Sequence, residues 1–229
     1  MNFIFQGFLD GLGLIWHLDS EVYFIIWTSL KVSLIAVGGA AVVGIPLGVL
    51  IAIKNFFLKR ALILGLNTAM AFPTVVLGLI FYAFLSRKGP LGDYGFLFTP
   101  VGMELGLFFL ATPIVINLTL GAVHSLDPRL FITCKTLGAN AWQEFCMIVR
   151  EGRFAITAAA ALAFGRVISE VGVAMMLGGN IKGFTRTMTT AIALETSKGE
   201  FELGMALGMA LLIVALFVNL ALYALQKQS

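Results

Sequence analysis

Four uncharged stretches of the chain are each long enough to cross a lipid bilayer. They are residues 32–53, 61–86, 105–126 and 203–226. An α-helix needs about 20 consecutive apolar residues to cross the hydrocarbon core of a membrane. A fifth stretch, residues 154–180, is also long enough, although it contains Arg166 and Glu170. The pattern therefore predicts an all-α integral membrane protein with five transmembrane helices.

The composition fits a membrane protein and argues against other classes. Of the 229 residues, 59% are hydrophobic and 12% are charged, whereas soluble domains average roughly 25% charged residues. The net charge is only +3, without basic and aromatic interleaving, so no nucleic-acid partner is expected. Cys134 and Cys146 lack a surrounding histidine and cysteine cluster, so we expect neither a metal site nor a disulfide. A membrane enzyme is a rival class, but His17 and His124 lie far apart and no catalytic residue is identified.

The chain divides into a short N-terminal segment and a transmembrane domain. In residues 1–20, apolar residues recur at helical spacing, which predicts a helix lying in the membrane interface. Residues 21–229 are expected to form the five-helix domain. Its first span contains Gly44 and Gly48, whose spacing favours close packing of membrane helices. The five spans are placed at about residues 22–53, 61–86, 104–126, 154–180 and 202–226.

A charged interruption, residues 127–153, separates the third span from the fourth. Asp127 and the proline after it are typical of a helix N-cap followed by the first helical position. Gly138 fits the left-handed residue that closes a helix, and Asn140 with Gln143 resembles a capping box. The interruption therefore predicts two short helices joined at a glycine.

The charges in the loops predict the orientation of the spans. Lysine and arginine are enriched in cytoplasmic loops, so the basic loop after the first span is placed inside the cell. The N-terminus is then outside, whereas the interruption and the C-terminus are cytoplasmic. Eight basic residues fall inside, namely Lys54, Lys59, Arg60, Arg129, Lys135, Arg150, Arg153 and Lys227, and five fall outside, namely Arg87, Lys88, Lys182, Arg186 and Lys198.

Polar residues within the spans mark candidate sites. Pro73 followed by Thr74 frees a carbonyl in mid-membrane, which is tolerated where the break lines a cavity or packs on protein. Both uses stay open for these residues. Arg166 and Glu170 lie one helical turn apart, and each costs roughly 2.5–3.5 kcal/mol if inserted alone. This pair either shapes a gate or holds its helix structurally.

The segment after the fourth span is rich in groups that suit an oxyanion. Asn180 ends the span, and Lys182 and Arg186 follow it together with Thr185, Thr187, Thr189 and Thr190. Hydroxyl and amide groups can replace the hydration shell of an anion while holding it weakly. Alternatively, the threonines only bond to helix carbonyls. Residues 184–196 are too short to span a membrane, which predicts a re-entrant or outer-surface helix.

Part of the charged interruption resembles a known family. Its residues 132–145 read ITCKTLGANAWQEF. This string resembles the "EAA" cytoplasmic loop of ABC importer permeases, in which a small-residue helix before a glycine docks on the ATPase subunit. The resemblance implies an ATPase-coupling surface made of Thr133, Cys134, Lys135, Leu137, Gly138 and Ala139. Ile132 replaces the usual glutamate of the motif, and Arg150 with Glu151 stands where a Leu-Pro pair often follows. The resemblance therefore implies no ion pair at Ile132, because isoleucine has no charge.

Two further stretches resemble the oxyanion permeases of that family. They are FPTVVLG, residues 72–78, and ISEVGVAMMLGGNIKGFTRTMTTAIALETSKGEF, residues 168–201. The likeness covers nearly the whole chain after Trp27 and is greatest to the tungstate type, then to the molybdate type. It implies a type I importer half that pairs with a second copy, two ABC ATPase subunits and an extracytoplasmic oxyanion-binding protein. The residues assigned to the translocation path or gate are Pro73, Thr74, Arg166, Ser169, Glu170 and Asn180.

The expected function is inward transport of a tetrahedral oxyanion across the cell membrane by alternating access. Tungstate is the expected substrate, with molybdate or sulfate as alternatives. The chain lacks a G-x-x-x-x-G-K-[ST] phosphate loop, so ATP and Mg are expected on the partner ATPase and no cofactor on this chain. An ATP-independent channel or secondary transporter is a further alternative, although neither needs the two-helix loop.

Overall fold

The computed structural model describes residues 19–226, together with residues 9, 11, 13, 16 and 17. The predicted interfacial helix, residues 1–20, falls largely outside the described residues and stays a prediction. The cytoplasmic placement of the C-terminus at Lys227 also lies outside them.

The described part of the chain is all-α, as the sequence predicts. Its ten α-helices are α1 (Ser20–Ile53), α2 (Lys59–Met70), α3 (Thr74–Leu85), α4 (Pro100–His124), α5 (Pro128–Thr136), α6 (Ala141–Glu151), α7 (Arg153–Ile168), α8 (Gly172–Gly178), α9 (Met188–Lys198) and α10 (Phe201–Gln226). A short 3₁₀ turn, Gly92–Tyr94, lies between α3 and α4.

Three helices, α1, α4 and α10, are each long and apolar enough to cross a membrane. Two further pairs, α2 with α3 and α7 with α8, bend by 97° and 61° at short breaks. If each bent pair forms one span, the described residues contain five candidate spans by length and composition. The predicted span boundaries stay predictions.

The two bent pairs break for different physical reasons. Pro73 has no N–H to donate, so it cannot continue α2, and α3 begins after it at Thr74. The break expected at Pro73 is therefore confirmed. The span predicted at residues 154–180 contains two helices, α7 and α8, rather than one continuous helix. At residue 170 the Glu170 carboxylate accepts hydrogen bonds from the first amides of α8, and such a side-chain acceptor favours a new helix start.

Glycines let α1 pack closely against α4. A Cβ on Gly44 would lie 3.0 Å from Val115 Cβ, and one on Gly48 would lie 2.8 Å from the carbonyl oxygen of Ile116. Only the absence of a side chain permits α4 to approach this closely. The predicted packing role of this glycine pair is confirmed. One cluster of buried apolar residues contains the fully buried side chains of Ile25, Met103, Leu177, Met188 and Leu207.

Candidate functional site

The charged interruption folds into the two short helices α5 and α6. Asp127 Oδ1 accepts the N–H of Arg129 at 2.8 Å, and a proline takes the first helical position. Gly138 has a φ of 71° at the junction. Asn140 and Gln143 exchange two hydrogen bonds of 2.9 Å and so form a capping box at the start of α6. The predicted N-cap, glycine junction and capping box are confirmed.

The residues predicted to couple to an ATPase lie around this junction. Four of the six are exposed, namely Thr133, Lys135, Leu137 and Gly138, and two are half-buried, namely Cys134 and Ala139. Leu137 is 80% exposed, and Ile132, which stands where the motif has glutamate, is 65% exposed. Exposed apolar side chains of this kind suit contact with another protein. The coupling role of these six residues stays a prediction.

The two breaks in the membrane spans meet at Gly172. A Cβ on this glycine would lie 3.1 Å from Thr74 Oγ1 and 3.2 Å from Glu170 Oε1. At Gly78, farther along α3, a Cβ would lie 3.0 Å from Met176 Cβ. The two glycines allow α3 and α8 to pack closely, so the start of α3 lies beside the start of α8. The structure thus brings Thr74 at the first break to Glu170 at the second.

The carboxylate of Glu170 is buried and has several partners. Its Oε1 accepts the N–H groups of Gly172 at 2.9 Å and Val173 at 3.3 Å, while its Oε2 accepts from Arg166 Nη1 at 2.6 Å. The Glu170 main-chain carbonyl accepts from Thr189 Oγ1 at 2.8 Å. These contacts fix the break between α7 and α8. For Glu170, the geometry favours the structural one of the two roles that the sequence leaves open.

Arg166 differs from its partner because its side chain is 43% exposed, against 3% for Glu170. A cavity of about 450 Å³ lies between α7 and α10 and is lined by Arg166, Ser169 and Asn219 together with apolar side chains. A guanidinium group donates several hydrogen bonds and can stabilise an anion, whereas Asn219 Nδ2 donates to the carbonyl of Ala215 at 3.0 Å. Asn219 was not among the predicted site residues; its signal in the sequence is an amide within the otherwise apolar last span.

Another polar contact joins α2 to α4 close to the first break. Asn117 Nδ2 donates to Asn67 Oδ1 at 2.6 Å and lies 3.1 Å from Met70 Sδ. Neither asparagine was among the predicted site residues, although both interrupt apolar spans. Their pairing joins residues 50 positions apart, which the sequence pattern does not reveal.

The polar segment after α8 is largely buried. The buried side chains are those of Thr185, Arg186, Thr187, Thr189 and Thr190. Thr185 Oγ1 donates to the carbonyl of Gly178, and Thr187 with Thr190 forms a capping box at the start of α9. Of the two uses that the sequence leaves open for these threonines, the structure favours bonding to main-chain groups, since the hydroxyls of Thr185, Thr189 and Thr190 donate to carbonyls of the fold. The predicted short helix in this segment is present as α9.

Asn180 lies at this segment, away from the point where the two breaks meet. Its Nδ2 donates to the carbonyl of Thr190 at 3.2 Å. Its Oδ1 is buried and has no hydrogen-bond partner within the described residues. The whole of α8 separates Asn180 from Gly172, so the structure does not bring Asn180 together with Thr74 and Glu170.

An ion-pair network connects this segment to the start of α1. Arg186 Nη1 lies 3.4 Å from Glu21 Oε1 and 3.4 Å from Glu195 Oε1. Lys182 Nζ lies 2.6 Å from Glu21 Oε2, and Lys198 Nζ lies 3.2 Å from Glu195 Oε1. Sequence reasoning missed this network, because Glu21 and Arg186 are 165 positions apart.

Comparisons with known proteins agree with this architecture. The family model described as "Binding-protein-dependent transport system inner membrane component" matches residues 44–228. The tungstate uptake system permease protein TupB of Campylobacter jejuni is 42% identical over 99% of this chain and 95% of its own length. TupB of Peptoclostridium acidaminophilum is 39% identical over the full length of both chains. A solved structure of the MetNI methionine ABC transporter in an inward-facing conformation shares the fold, with a TM-score of 0.75 over 95% of this chain and 98% of that chain at 16% identity.

Proposed function

Because this chain belongs to the family of binding-protein-dependent transport system inner membrane components, we propose that it carries tungstate inward as the permease subunit of an ATP-driven importer. The resemblance noted in the sequence, to a type I ABC importer permease of the oxyanion group, is confirmed by the family match and by both tungstate permeases. The expected fold class agrees with the shared fold of the MetNI transporter.

The observation that carries the proposal is the meeting of two interrupted spans at Gly172. Helices interrupted within the membrane line cavities or binding sites in transporters, since their freed main-chain groups need partners. Arg166, one turn before Glu170, faces the cavity between α7 and α10. A cation there supports passage of an anion. Pro73, Thr74, Arg166, Ser169 and Glu170 are therefore proposed to lie on or beside the path.

The ATP-driven step is assigned to other subunits. We propose that two ABC ATPase subunits bind ATP and Mg and dock on the α5–α6 junction, where Leu137 is highly exposed. A second copy of this chain completes the path, and an extracytoplasmic oxyanion-binding protein delivers the substrate. In this arrangement the N-terminus lies outside and the C-terminus in the cytoplasm, and substrate moves by alternating access.

The decisive test is competitive uptake by the complete complex, reconstituted in vesicles with its binding protein. We expect ATP-dependent accumulation of tungstate that unlabelled tungstate suppresses at lower concentration than molybdate or sulfate. Stronger competition by molybdate or sulfate would assign the chain to that substrate instead. Accumulation that persists after the ATPase subunit is omitted would contradict the importer and favour a channel or secondary transporter.

A further inference from the structure

The turn between α1 and α2, residues 54–58, carries positive charge that the fold leaves largely unbalanced. Lys54, Lys59 and Arg60 lie at this turn, and the sequence has no Asp or Glu from residue 22 to residue 92. None of the ion pairs within the described residues includes these three cations. Lys54 and Arg60 are exposed. Lys59 Nζ donates to the carbonyl of Ala52 at 3.0 Å and so closes the end of α1.

The same turn exposes large apolar side chains beside its cations. Phe56, Phe57 and Leu58 are 43%, 99% and 61% exposed. A cavity of about 440 Å³ is lined by both phenylalanines together with Asn55, Lys59, Arg60 and Ile63. Segments that lie in a membrane interface combine apolar side chains such as Phe and Leu, which face acyl chains, with Lys and Arg, which face the lipid headgroups. The turn therefore has the composition of a membrane-interface site.

A groove on the other side of the turn is suited to an acyl chain. This cavity of about 420 Å³ lies between α1 and α6, with Leu47 and Leu50 on one wall and Trp142 and Phe145 on the other. The two aromatic rings stack with centroids 5.5 Å apart. Lys54 lines the same groove, and the α1 wall from Leu47 to Lys54 is about 10 Å long at the rise of an α-helix.

We propose that an anionic phospholipid binds at this turn. Its phosphate contacts Lys54, Lys59 and Arg60, and one of its acyl chains occupies the groove between α1 and α6. The three basic side chains favour an anionic phospholipid over a zwitterionic one, because a zwitterionic lipid has the same acyl chains but no net negative charge. Glu144 also lines the groove, so the three cations and this carboxylate together carry a net charge of +2. The site goes beyond the proposed transport function and does not depend on which oxyanion is carried.

The test measures lipid retention by the purified full chain. Native mass spectrometry after incubation with equal amounts of phosphatidylglycerol and phosphatidylcholine gives the ratio of the two bound lipids. We expect Lys54→Gln with Arg60→Gln to lower this ratio at least about fivefold, since one basic residue near an anionic surface contributes about that factor. Lys59 is kept, because its ammonium group closes α1. The matched control is Arg87→Gln with Lys88→Gln, an exposed basic pair at the other end of the bent α2–α3 span, and it should leave the ratio unchanged.

A second variant tests the groove. Ala141→Phe places a ring in the cavity between α1 and α6, and we expect it to reduce binding of both lipids by a similar factor. An unchanged ratio in the Lys54 and Arg60 variant would overturn the proposal, as would an equal loss in the Arg87 and Lys88 control. Release of bound phosphatidylglycerol when the ATPase subunit is added would also overturn it, because the turn would then be a protein contact.

Discussion

Glu170 and Arg166 form an ion pair in which the two residues have different roles. A buried ionised carboxylate is costly unless it is paired and hydrogen-bonded. Glu170 meets this condition through Arg166 and two main-chain amides. Arg166 is not similarly enclosed, since 43% of its side chain is exposed. The structural role therefore belongs to Glu170, while Arg166 is free to present its guanidinium to the cavity between α7 and α10.

Gly138 gives a residue-scale prediction about coupling. Its φ of 71° is costly for residues with a side chain, least so for asparagine, yet a Cβ there would meet no atom within 4 Å. Within this chain, position 138 therefore favours glycine because of its backbone conformation. A side chain at this position would be excluded by lack of space only where a docked partner fills that space. We expect Gly138→Trp to lower co-purification of the ATPase and substrate-stimulated ATP hydrolysis about five- to thirtyfold, which corresponds to the roughly 1–2 kcal/mol cost of the left-handed conformation.

Gly138→Asn separates the two causes. Asparagine tolerates the left-handed conformation, so it should retain most coupling if conformation alone matters, and little if the ATPase needs the space. Full co-purification together with full stimulated hydrolysis by the tryptophan variant would contradict a coupling role for this glycine.

Among the helices, local chemistry was predictable and contacts between distant residues were not. The caps at Asp127 and Asn140 and the break at Pro73 depend on a few neighbouring residues, so the sequence reveals them. The break at Glu170 is closed by local hydrogen bonds, but the packing of Gly172 against Thr74 beside it joins residues nearly a hundred positions apart. Burial of the threonines after α8 is similar, because the N–H of Met188 in the same segment donates to Ser29 Oγ of α1 at 2.7 Å. A polar sequence alone does not distinguish such a segment from an open binding surface.

The junction of the two broken spans gives an element-scale prediction. Thr74 Oγ1 lies at the point where α3 meets α8, and Thr74 is only half-buried. If this hydroxyl contacts the anion during passage, Thr74→Leu should slow ATP-dependent uptake about tenfold or more, since a hydrogen bond to a charged group contributes roughly 1.5–3 kcal/mol. Thr74→Ser keeps the hydroxyl and should transport at near the original rate. Wild-type uptake by Thr74→Leu in vesicles, at equal amounts of assembled complex, would remove Thr74 from the path.

At the scale of the whole molecule, an ion-pair network connects the start of α1 to α9. Arg186 bridges Glu21 at the start of α1 and Glu195 in α9. The Arg186 side chain is 9% exposed and that of Glu195 is 2% exposed. Met188 and Thr189, just after Arg186, contact Ser29 of α1 and Glu170 at the second break. The network therefore holds the segment between α8 and α9 against α1 and against the second break at Glu170.

This network gives a molecule-scale prediction that a double-mutant cycle can test by thermal unfolding of the purified full chain. Arg186→Met should destabilise the fold by about 3 kcal/mol, because it leaves Glu195 buried with only Lys198 as its partner. Adding Glu195→Met should recover at least half of this loss, since the uncompensated buried charge is then removed. Lys182→Met is the control: its side chain is 67% exposed, and surface ion pairs contribute only about 0–1 kcal/mol.

Additive losses in the double variant would mean that Arg186 and Glu195 are energetically independent. The segment between α8 and α9 would then depend on the hydrogen bonds to Ser29 and Glu170 rather than on this ion pair.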